Sequence, residues 1–275
     1  MSADDARRGP RNEDEESLEA SRAPLLEHLI ELRQRLIYSM VALILCFAVC
    51  FYFAQEIFNL LLWPYERASG EEVKLIFTAP QEFFFTQMRL AMFGAAFLAC
   101  PIVLSQIYMF VAPGLYKSEQ RAFLPFLAAT PILFVMGGAL VYFVIMPLAL
   151  NFFLSMQQAP DVTKGGAAIE LLPRVSEYLS LVTTLILAFG LCFQLPVLLT
   201  LLGQVGIVSA AQLRKGRKYA IVIAFGVAAI LTPPDLISQV GLGVPTILLY
   251  EISIFCVAML ERRRARERAE RDAEE

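Results

Sequence analysis

Histidine and tryptophan occur only once each in this chain of 275 residues, as His28 and Trp63. None of its five cysteines forms a CxxC pair, and no histidine, cysteine and carboxylate residues share metal-ligand spacing. The sequence also contains no GxxxxGK(S/T) phosphate-binding loop and no nucleophile elbow. These absences argue against an ATPase, a metalloenzyme and a hydrolase, so we expect a protein that is not an enzyme and holds no metal and no cofactor.

Charged residues are also scarce, at 18% of the chain, whereas 57% of it is apolar. Soluble domains average about 25% charged and about 45–50% apolar. Residues 1–22 are rich in Asp and Glu and cannot bury enough apolar surface to order themselves, which predicts a disordered cytoplasmic tail. Residues 261–275 are nearly all Arg, Glu and Ala and form a second charged tail, also cytoplasmic. The predicted membrane domain lies between them, over residues 23–260.

Long apolar runs fill this central part of the chain. A helix needs about 20 apolar residues to cross about 30 Å of hydrocarbon. The six runs are 36–53, 83–110, 123–150, 178–202, 219–231 and 236–260. The fifth run reaches only about 20 Å at about 1.5 Å per residue, and Pro245 interrupts the sixth. We therefore predict six transmembrane helices, of which the last two are short.

The distribution of lysine and arginine predicts the orientation of these helices. If the N-terminus is cytoplasmic, the inside segments carry 14 basic residues and the outside loops carry 4. The inside set is Arg33, Arg35, Lys117, Arg121, Arg214, Lys215, Arg217, Lys218, Arg262, Arg263, Arg264, Arg266, Arg268 and Arg271. This asymmetry places both termini in the cytoplasm and requires an even number of spans.

Prolines within or at the ends of the apolar runs predict the shape of the bundle. Each interior proline removes one helical hydrogen bond and bends its helix. The prolines in question are Pro101, Pro125, Pro131, Pro147, Pro196 and Pro245. The predicted fold class is therefore an all-α integral membrane protein, built as a kinked, concave bundle.

Two charged segments lie on the predicted cytoplasmic side. Before the first span, Leu residues recur at helical spacing, and Glu31 and Arg35 share the opposite face of an amphipathic helix. These two side chains either form an ordinary i,i+4 ion pair or contribute to a binding site. In the loop after the second span, Glu119 is either a helix-start carboxylate or a second binding group.

Other polar residues interrupt or border the later spans. Gln194 precedes a kinking proline inside the fourth span, where a polar group faces protein or a cavity rather than lipid. Asp235 follows two prolines and is suited to cap the sixth helix, and Thr232 and Gln239 lie close to it in sequence. Glu251 lies within the sixth span and is a functional candidate by its position alone.

Four of these segments together resemble the TatC family, the multispanning subunit of the twin-arginine protein translocase. The motifs are His28-Leu-Ile-Glu-Leu-Arg33, Phe110-Val-Ala-Pro-Gly-Leu-Tyr-Lys-Ser-Glu119, Leu231-Thr-Pro-Pro-Asp235, and Pro64 after the first span. They occur in order on the predicted topology, over about residues 24–260. Two short final helices are also typical of this family.

The resemblance implies a function that spacing alone does not give. Members of the family form, with TatB, the receptor for signal peptides that carry consecutive arginines. They then nucleate TatA assembly, and folded cargo crosses the bacterial inner membrane on the proton-motive force. By position, Glu31 and Glu119 receive the arginine pair, Arg33 supports them, and Phe110 and Pro113 shape the loop. Self-association within the receptor complex is expected, and a nucleic-acid partner is not.

The resemblance also assigns roles to the later spans, with one departure. Many members have Glu where this chain has Gln194, which leaves a hydrogen-bonding role for this position in signal-peptide binding but no role for a charge. Thr232 and Gln239 match a polar patch that docks the single transmembrane helices of the partner subunits. Pro64 and Asp235 are expected to be structural.

A small-solute secondary transporter is the alternative function. Such proteins usually show internal repeats and paired broken helices, and the two halves of this sequence show no repeat. The two functions differ in what is bound, a transported solute or a signal peptide.

Overall fold

The structure of this protein is a computed structural model, and it describes residues 11–70, 75–111, 120–157, 172–232 and 236–274. These residues form an all-helical fold, as predicted. Their only β-type contact is a single bridge between Ile76 and Arg174. The helices are α1 (Arg11–Tyr52), α2 (Ala54–Ser69), α3 (Glu82–Val111), α4 (Gln120–Leu140), α5 (Met146–Ser155), α6 (Val175–Cys192), α7 (Leu195–Gln204), α8 (Ala210–Leu231) and α9 (Leu236–Glu274).

Five helical stretches in the described ranges are long and apolar enough to cross a membrane. They are Leu29–Tyr52, Glu82–Phe110, Ala128–Ser155, Val175–Gln204 and Ser238–Ala273. These stretches correspond to the first four predicted spans and the sixth, and they make the chain a multi-pass membrane protein. The predicted fifth span lies in α8, which is not among the five. The first half of α8 carries Arg214, Lys215, Arg217 and Lys218, so only its second half is continuously apolar.

Two predicted boundaries differ from the structure. The sequence predicts a break at Pro245, but α9 continues through this residue. A membrane helix tolerates an interior proline because neighbouring groups satisfy the backbone atoms that it leaves without a partner. Residues 11–22 continue α1 as helix, whereas their composition predicts a disordered tail. Glu, Arg and Ala are good helix formers, so local propensity favours helix over this stretch.

The third and fourth spans are irregular at proline residues. A π-helical turn, Val141–Ile145, joins α4 to α5, and it ends two residues before Pro147 in the first turn of α5. The fourth span breaks between α6 and α7, where Phe193 and Gln194 precede Pro196. Both irregularities follow from the missing N–H of proline, which prevents the regular helical hydrogen bond.

The principal core lies where the third and fourth spans meet, with side chains from the α2 and α9 helices completing it. Its central buried residues include Met146, Tyr178, Phe189 and Leu242. Outside this core, α1 packs along α3, and α9 packs against both α7 and α8.

Small residues bring α4 and α6 into backbone contact. A Cβ added at Gly137 would lie 2.6 Å from the backbone oxygen of Phe189, and one at Gly190 would lie 2.6 Å from Cε2 of Phe134. Neither distance is compatible with normal van der Waals contact, so the crossing requires glycine at both positions. Small residues at helix crossings are the usual means of close association in membranes.

Pro64, which we predict to be structural, is buried inside α2. Because proline has no N–H, the carbonyl of Leu60 loses its helical donor. The Tyr142 hydroxyl donates to this carbonyl at 2.7 Å, and the Tyr178 hydroxyl donates to the adjacent Leu61 carbonyl at 2.8 Å. The proline therefore creates an acceptor through which the third span holds α2.

Candidate functional site

Glu31 is the first residue of the predicted arginine-binding site. It accepts hydrogen bonds from Nε of Arg35 at 3.0 Å and from Nη2 of Arg35 at 2.5 Å, and both nitrogens contact the same carboxylate oxygen, Oε1. Nη1 of Arg35 donates to Oε1 of Gln106 on α3 at 3.4 Å. We call Glu31, Arg35 and Gln106 the Glu31 cluster.

The i,i+4 ion pair that the sequence offers as one reading of Glu31 is therefore present. The pair is more than a surface contact, because the two side chains are only 31% and 22% exposed. Gln106 also ties it to a second helix. The cluster thus lies in the contact between α1 and α3, next to the end of α3 that leads into the loop after the second span.

Of the other residues predicted to bind the signal peptide, two lie on the helices that form this cluster. Arg33 is exposed on α1, and Phe110 is half-buried in the last turn of α3, one helical turn beyond Gln106. Glu119 and Pro113 lie outside the described residues. The structure therefore places Glu31 beside the end of α3 that precedes Glu119 in the chain, and the assignment of the pair stays a prediction.

Gln194 lies apart from this cluster, at the break in the fourth span. Its side chain is 6% exposed. Nε2 donates to the carbonyl of Thr130 on α4 at 3.0 Å and lies 3.5 Å from the carbonyl of Gly190. Its Oε1 is buried and has no hydrogen-bond partner among the residues that the structure covers. The amide therefore joins the broken fourth span to the third.

Thr232 and Gln239, the predicted docking residues, lie at facing ends of α8 and α9. Thr232 is buried and donates its hydroxyl to the carbonyl of Ala228 at 2.9 Å, and Gln239 is half-buried. Asp235 lies outside the described residues. Thr232 also lines a polar recess of about 510 Å³ together with Arg89 and Ser176.

Glu251, the remaining candidate from the sequence, is paired. Arg217 on α8 donates to it through Nη2 at 2.7 Å, and both side chains are about half exposed. This ion pair joins α8 to α9 at their basic end. Glu251 therefore has a structural partner that its position in the sixth span did not reveal.

Sequence reasoning missed Gln106 and the setting of Arg89. The contact of Gln106 with Arg35 joins positions 71 residues apart, which no local pattern reports. Arg89 interrupts the second apolar run, so an ionisable residue at membrane level was the available signal.

Comparison with known proteins identifies the family. The profile of the family described as Sec-independent protein translocase protein (TatC) matches residues 27–245. A relative from Magnetococcus marinus, named Sec-independent protein translocase protein TatC, is 49% identical over 92% of this chain and 90% of its own length. The protein of the same name from Rickettsia prowazekii is 42% identical over 86% of this chain and 92% of its own length. The one from Escherichia coli K12 is 39% identical over 84% of this chain and 87% of its own length.

A solved structure agrees with this assignment. A crystal structure of the twin-arginine translocase receptor TatC superposes with a TM-score of 0.72 at 38% sequence identity. The match covers 84% of this chain and 98% of that chain. Sequence and fold therefore agree over nearly all of the membrane domain, and this chain belongs to the TatC family of protein translocase subunits.

Proposed function

We propose that this protein is the signal-peptide receptor and core subunit of the twin-arginine translocase, which exports folded proteins across the inner membrane using the proton-motive force. The observation that carries the proposal is the likeness to relatives named as translocase proteins, which extends over 84–92% of this chain in the three cited. The receptor structure with the same fold supports it further. The alternative of a small-solute transporter receives no support from these comparisons.

The proposal includes the partners and the location of the protein. It functions as a multi-pass protein of the bacterial inner membrane with both termini in the cytoplasm. It assembles with TatB and TatA subunits, associates with further copies of itself in the receptor complex, and binds twin-arginine signal peptides of folded cargo. The positive-inside asymmetry of the sequence supports the orientation.

Recognition of the arginine pair is assigned to Glu31 and Glu119, with Arg33, Phe110 and Pro113 shaping the site. Carboxylates bind guanidinium groups through charge-assisted, often bidentate hydrogen bonds, which an ammonium group cannot reproduce. Two observations support the assignment of Glu31. It already binds a guanidinium, that of Arg35, and the contact with Gln106 places it beside the end of α3 that leads to Glu119.

Gln194 is proposed to contribute from within the fourth span. Because it is neutral, its part in binding is a hydrogen bond rather than a charge. Its Oε1 is the atom that supports this role, since Nε2 is already bonded to Thr130.

The arginine assignment is tested by comparing a signal peptide that carries Arg-Arg with the same peptide carrying Lys-Lys. Loss of a carboxylate that binds an interfacial guanidinium costs about 2–5 kcal/mol where water is excluded and less at a wet rim. A tenfold change in affinity corresponds to about 1.4 kcal/mol. Glu31→Ala and Glu119→Ala should each weaken binding of the Arg-Arg peptide about tenfold or more, and should remove most of the preference for Arg over Lys.

A matched control separates binding from helix stability. Glu56→Ala removes an exposed carboxylate in the first turn of α2 and should leave the preference unchanged. If both test variants fold normally and keep the wild-type preference, the two carboxylates do not recognise the arginines.

The polar patch of Thr232 and Gln239 is proposed to dock the transmembrane helix of a partner subunit. The recess next to Thr232 supports this role, since it offers polar contacts at the end of α8. Polar contacts between membrane helices contribute about 0.6–2 kcal/mol each. Gln239→Leu should therefore reduce site-specific cross-linking to the partner severalfold, whereas Val240→Ala on the adjacent, exposed position should not. Equal cross-linking of the two variants would contradict the docking assignment.

A further inference from the structure

The carboxylate proposed to read arginine is already bound to an arginine of the same helix. Arg35 directs both Nε and Nη2 to Oε1 of Glu31, and Gln106 accepts a hydrogen bond from its remaining terminal nitrogen, Nη1. The guanidinium is therefore held by two helices, and about three-quarters of the Arg35 side chain is buried. Because Oε1 of Glu31 is engaged, a peptide arginine that binds both carboxylate oxygens in a bidentate contact must displace Arg35.

We propose that Arg35 is an internal competitor of the signal peptide for Glu31, and that Gln106 stabilises the occupied state. This inference rests on the proposed function. In this state Arg35 supplies the guanidinium contact to Glu31 that the peptide would otherwise make. Binding of a signal peptide displaces Arg35 from Glu31, and the guanidinium of a peptide arginine replaces that of Arg35 on the carboxylate.

Competition of this kind has a defined thermodynamic signature. When only a fraction of the protein is open for binding, the apparent dissociation constant equals the intrinsic constant divided by that fraction. The fraction is a property of the protein alone. Arg35 therefore weakens the apparent affinity for every peptide that uses Glu31 by the same factor and leaves the ratio between two such peptides unchanged.

For secretion, the consequence is that Arg35 raises the intrinsic affinity that a peptide needs in order to bind, but does not change the preference for arginine over lysine. The preference for arginine over lysine comes from the geometry of the carboxylates, whereas Arg35 sets the intrinsic affinity above which a peptide stays bound. Weakly basic segments of other proteins then fail to occupy the receptor.

The experiment measures the affinity of the full-length protein for the Arg-Arg and Lys-Lys peptides at one ionic strength. Arg35→Gln should tighten binding of both peptides by the same factor, about fivefold, which corresponds to about 1 kcal/mol at 1.4 kcal/mol per tenfold. Gln106→Leu should tighten both by a smaller factor and add nothing in the Arg35→Gln background, because the two residues act as one unit.

Two controls separate competition from electrostatic repulsion. Arg35→Lys keeps the positive charge but offers a single ammonium group, so both affinities should still rise, by less than in Arg35→Gln. Arg263→Gln removes an arginine from an equivalent i,i+4 pair with Glu267, far along α9, and should change neither affinity. If Arg35→Lys behaves as wild type while Arg35→Gln binds more tightly, repulsion explains the effect and the inference is wrong.

Other outcomes of the same measurement are equally decisive. A fall in affinity in Arg35→Gln would mean that Arg35 positions Glu31 for the peptide, and no change would mean that the pair is irrelevant to binding. Either result overturns the inference. Failure of the proposed function gives a different pattern, since Glu31→Ala would then keep the preference for Arg over Lys.

Discussion

Gln194 has a structural role in addition to its proposed role in binding, because its side chain links the third and fourth spans. At the break between α6 and α7, the N–H of Gln194 turns to the carbonyl of Leu191 rather than that of Gly190. The side-chain amide then lies near the Gly190 carbonyl and bonds firmly to Thr130 across the helix contact. The Gln194 side chain thus offers a donor to the Gly190 carbonyl at the break and links the fourth span to the third through a hydrogen bond.

This arrangement predicts unequal effects for two substitutions at Gln194. Gln194→Leu removes one buried hydrogen bond but also removes the unpartnered Oε1, so the loss of stability should stay below about 1 kcal/mol. Gln194→Glu retains the buried oxygen, removes the donor and introduces a charge or a proton, so it should be clearly more destabilising. Thermal unfolding of the purified protein in detergent would compare them. A Gln194→Glu protein as stable as wild type would show that this position is hydrated.

Residue-scale prediction from the sequence succeeded where partners are near in the chain. The spacing of Glu31 and Arg35 predicts their ion pair as one of two readings, and the pair is present. The third member of the cluster, Gln106, comes from another helix, and no helical period reports such a contact. Whether a polar residue makes a structural contact depends on a partner that is distant in the sequence, such as Thr130 for Gln194.

At the scale of helices, the contact between α4 and α6 depends on glycine. Gly137→Ala would place a methyl group against the backbone oxygen of Phe189, which cannot move without shifting α6. Overpacking of this kind costs about 1–3 kcal/mol, so this variant should unfold at a lower temperature than wild type.

Gly226 in α8 provides the matched control for this prediction. A Cβ at Gly226 would meet no heavy atom within 4 Å. Gly226→Ala should therefore be neutral, or stabilising by up to about 1 kcal/mol through helix propensity. Equal destabilisation by the two alanines would show that the close approach of α4 and α6 does not contribute to stability.

The sequence predicts where most helices run but not how their irregularities are resolved. Apolar length correctly indicates the first four spans, and interior prolines correctly indicate that the third and fourth are irregular. They do not distinguish a π-helical turn before Pro147 from a full break before Pro196 or an uninterrupted helix through Pro245. That choice depends on which neighbouring groups can satisfy the backbone atoms left by each proline, and these neighbours come from other helices.

At the scale of the whole molecule, the number of membrane spans is odd or even according to whether α8 crosses the membrane. The five long apolar stretches alone would place the termini on opposite sides of the membrane. The α8 helix packs against α9, and only residues 232–235 separate the two. Helices joined by so short a connection run antiparallel. We propose that α8 crosses the membrane as the predicted fifth span, which gives an even number of spans, in agreement with the distribution of basic residues.

This topology predicts that both ends of the chain are cytoplasmic. A reporter enzyme that is active only in the periplasm should be silent when fused after Glu261, because the arginines that follow the sixth span are retained on the inside. The same reporter inserted in the loop between the third and fourth spans, at residue 164, should be active. Strong activity after Glu261 would contradict the predicted orientation.

The last turn of the membrane domain carries one further contact. Oε1 of Glu261 accepts a hydrogen bond from the backbone N–H of Ala210 at 2.9 Å, at the first residue of α8. This N–H has no partner within its own helix, and Ser209 with Gln212 already caps the turn through a capping box. Glu261 thus supplements the capping box of α8 from the neighbouring helix α9, and Glu261→Ala would leave the N–H of Ala210 without this acceptor.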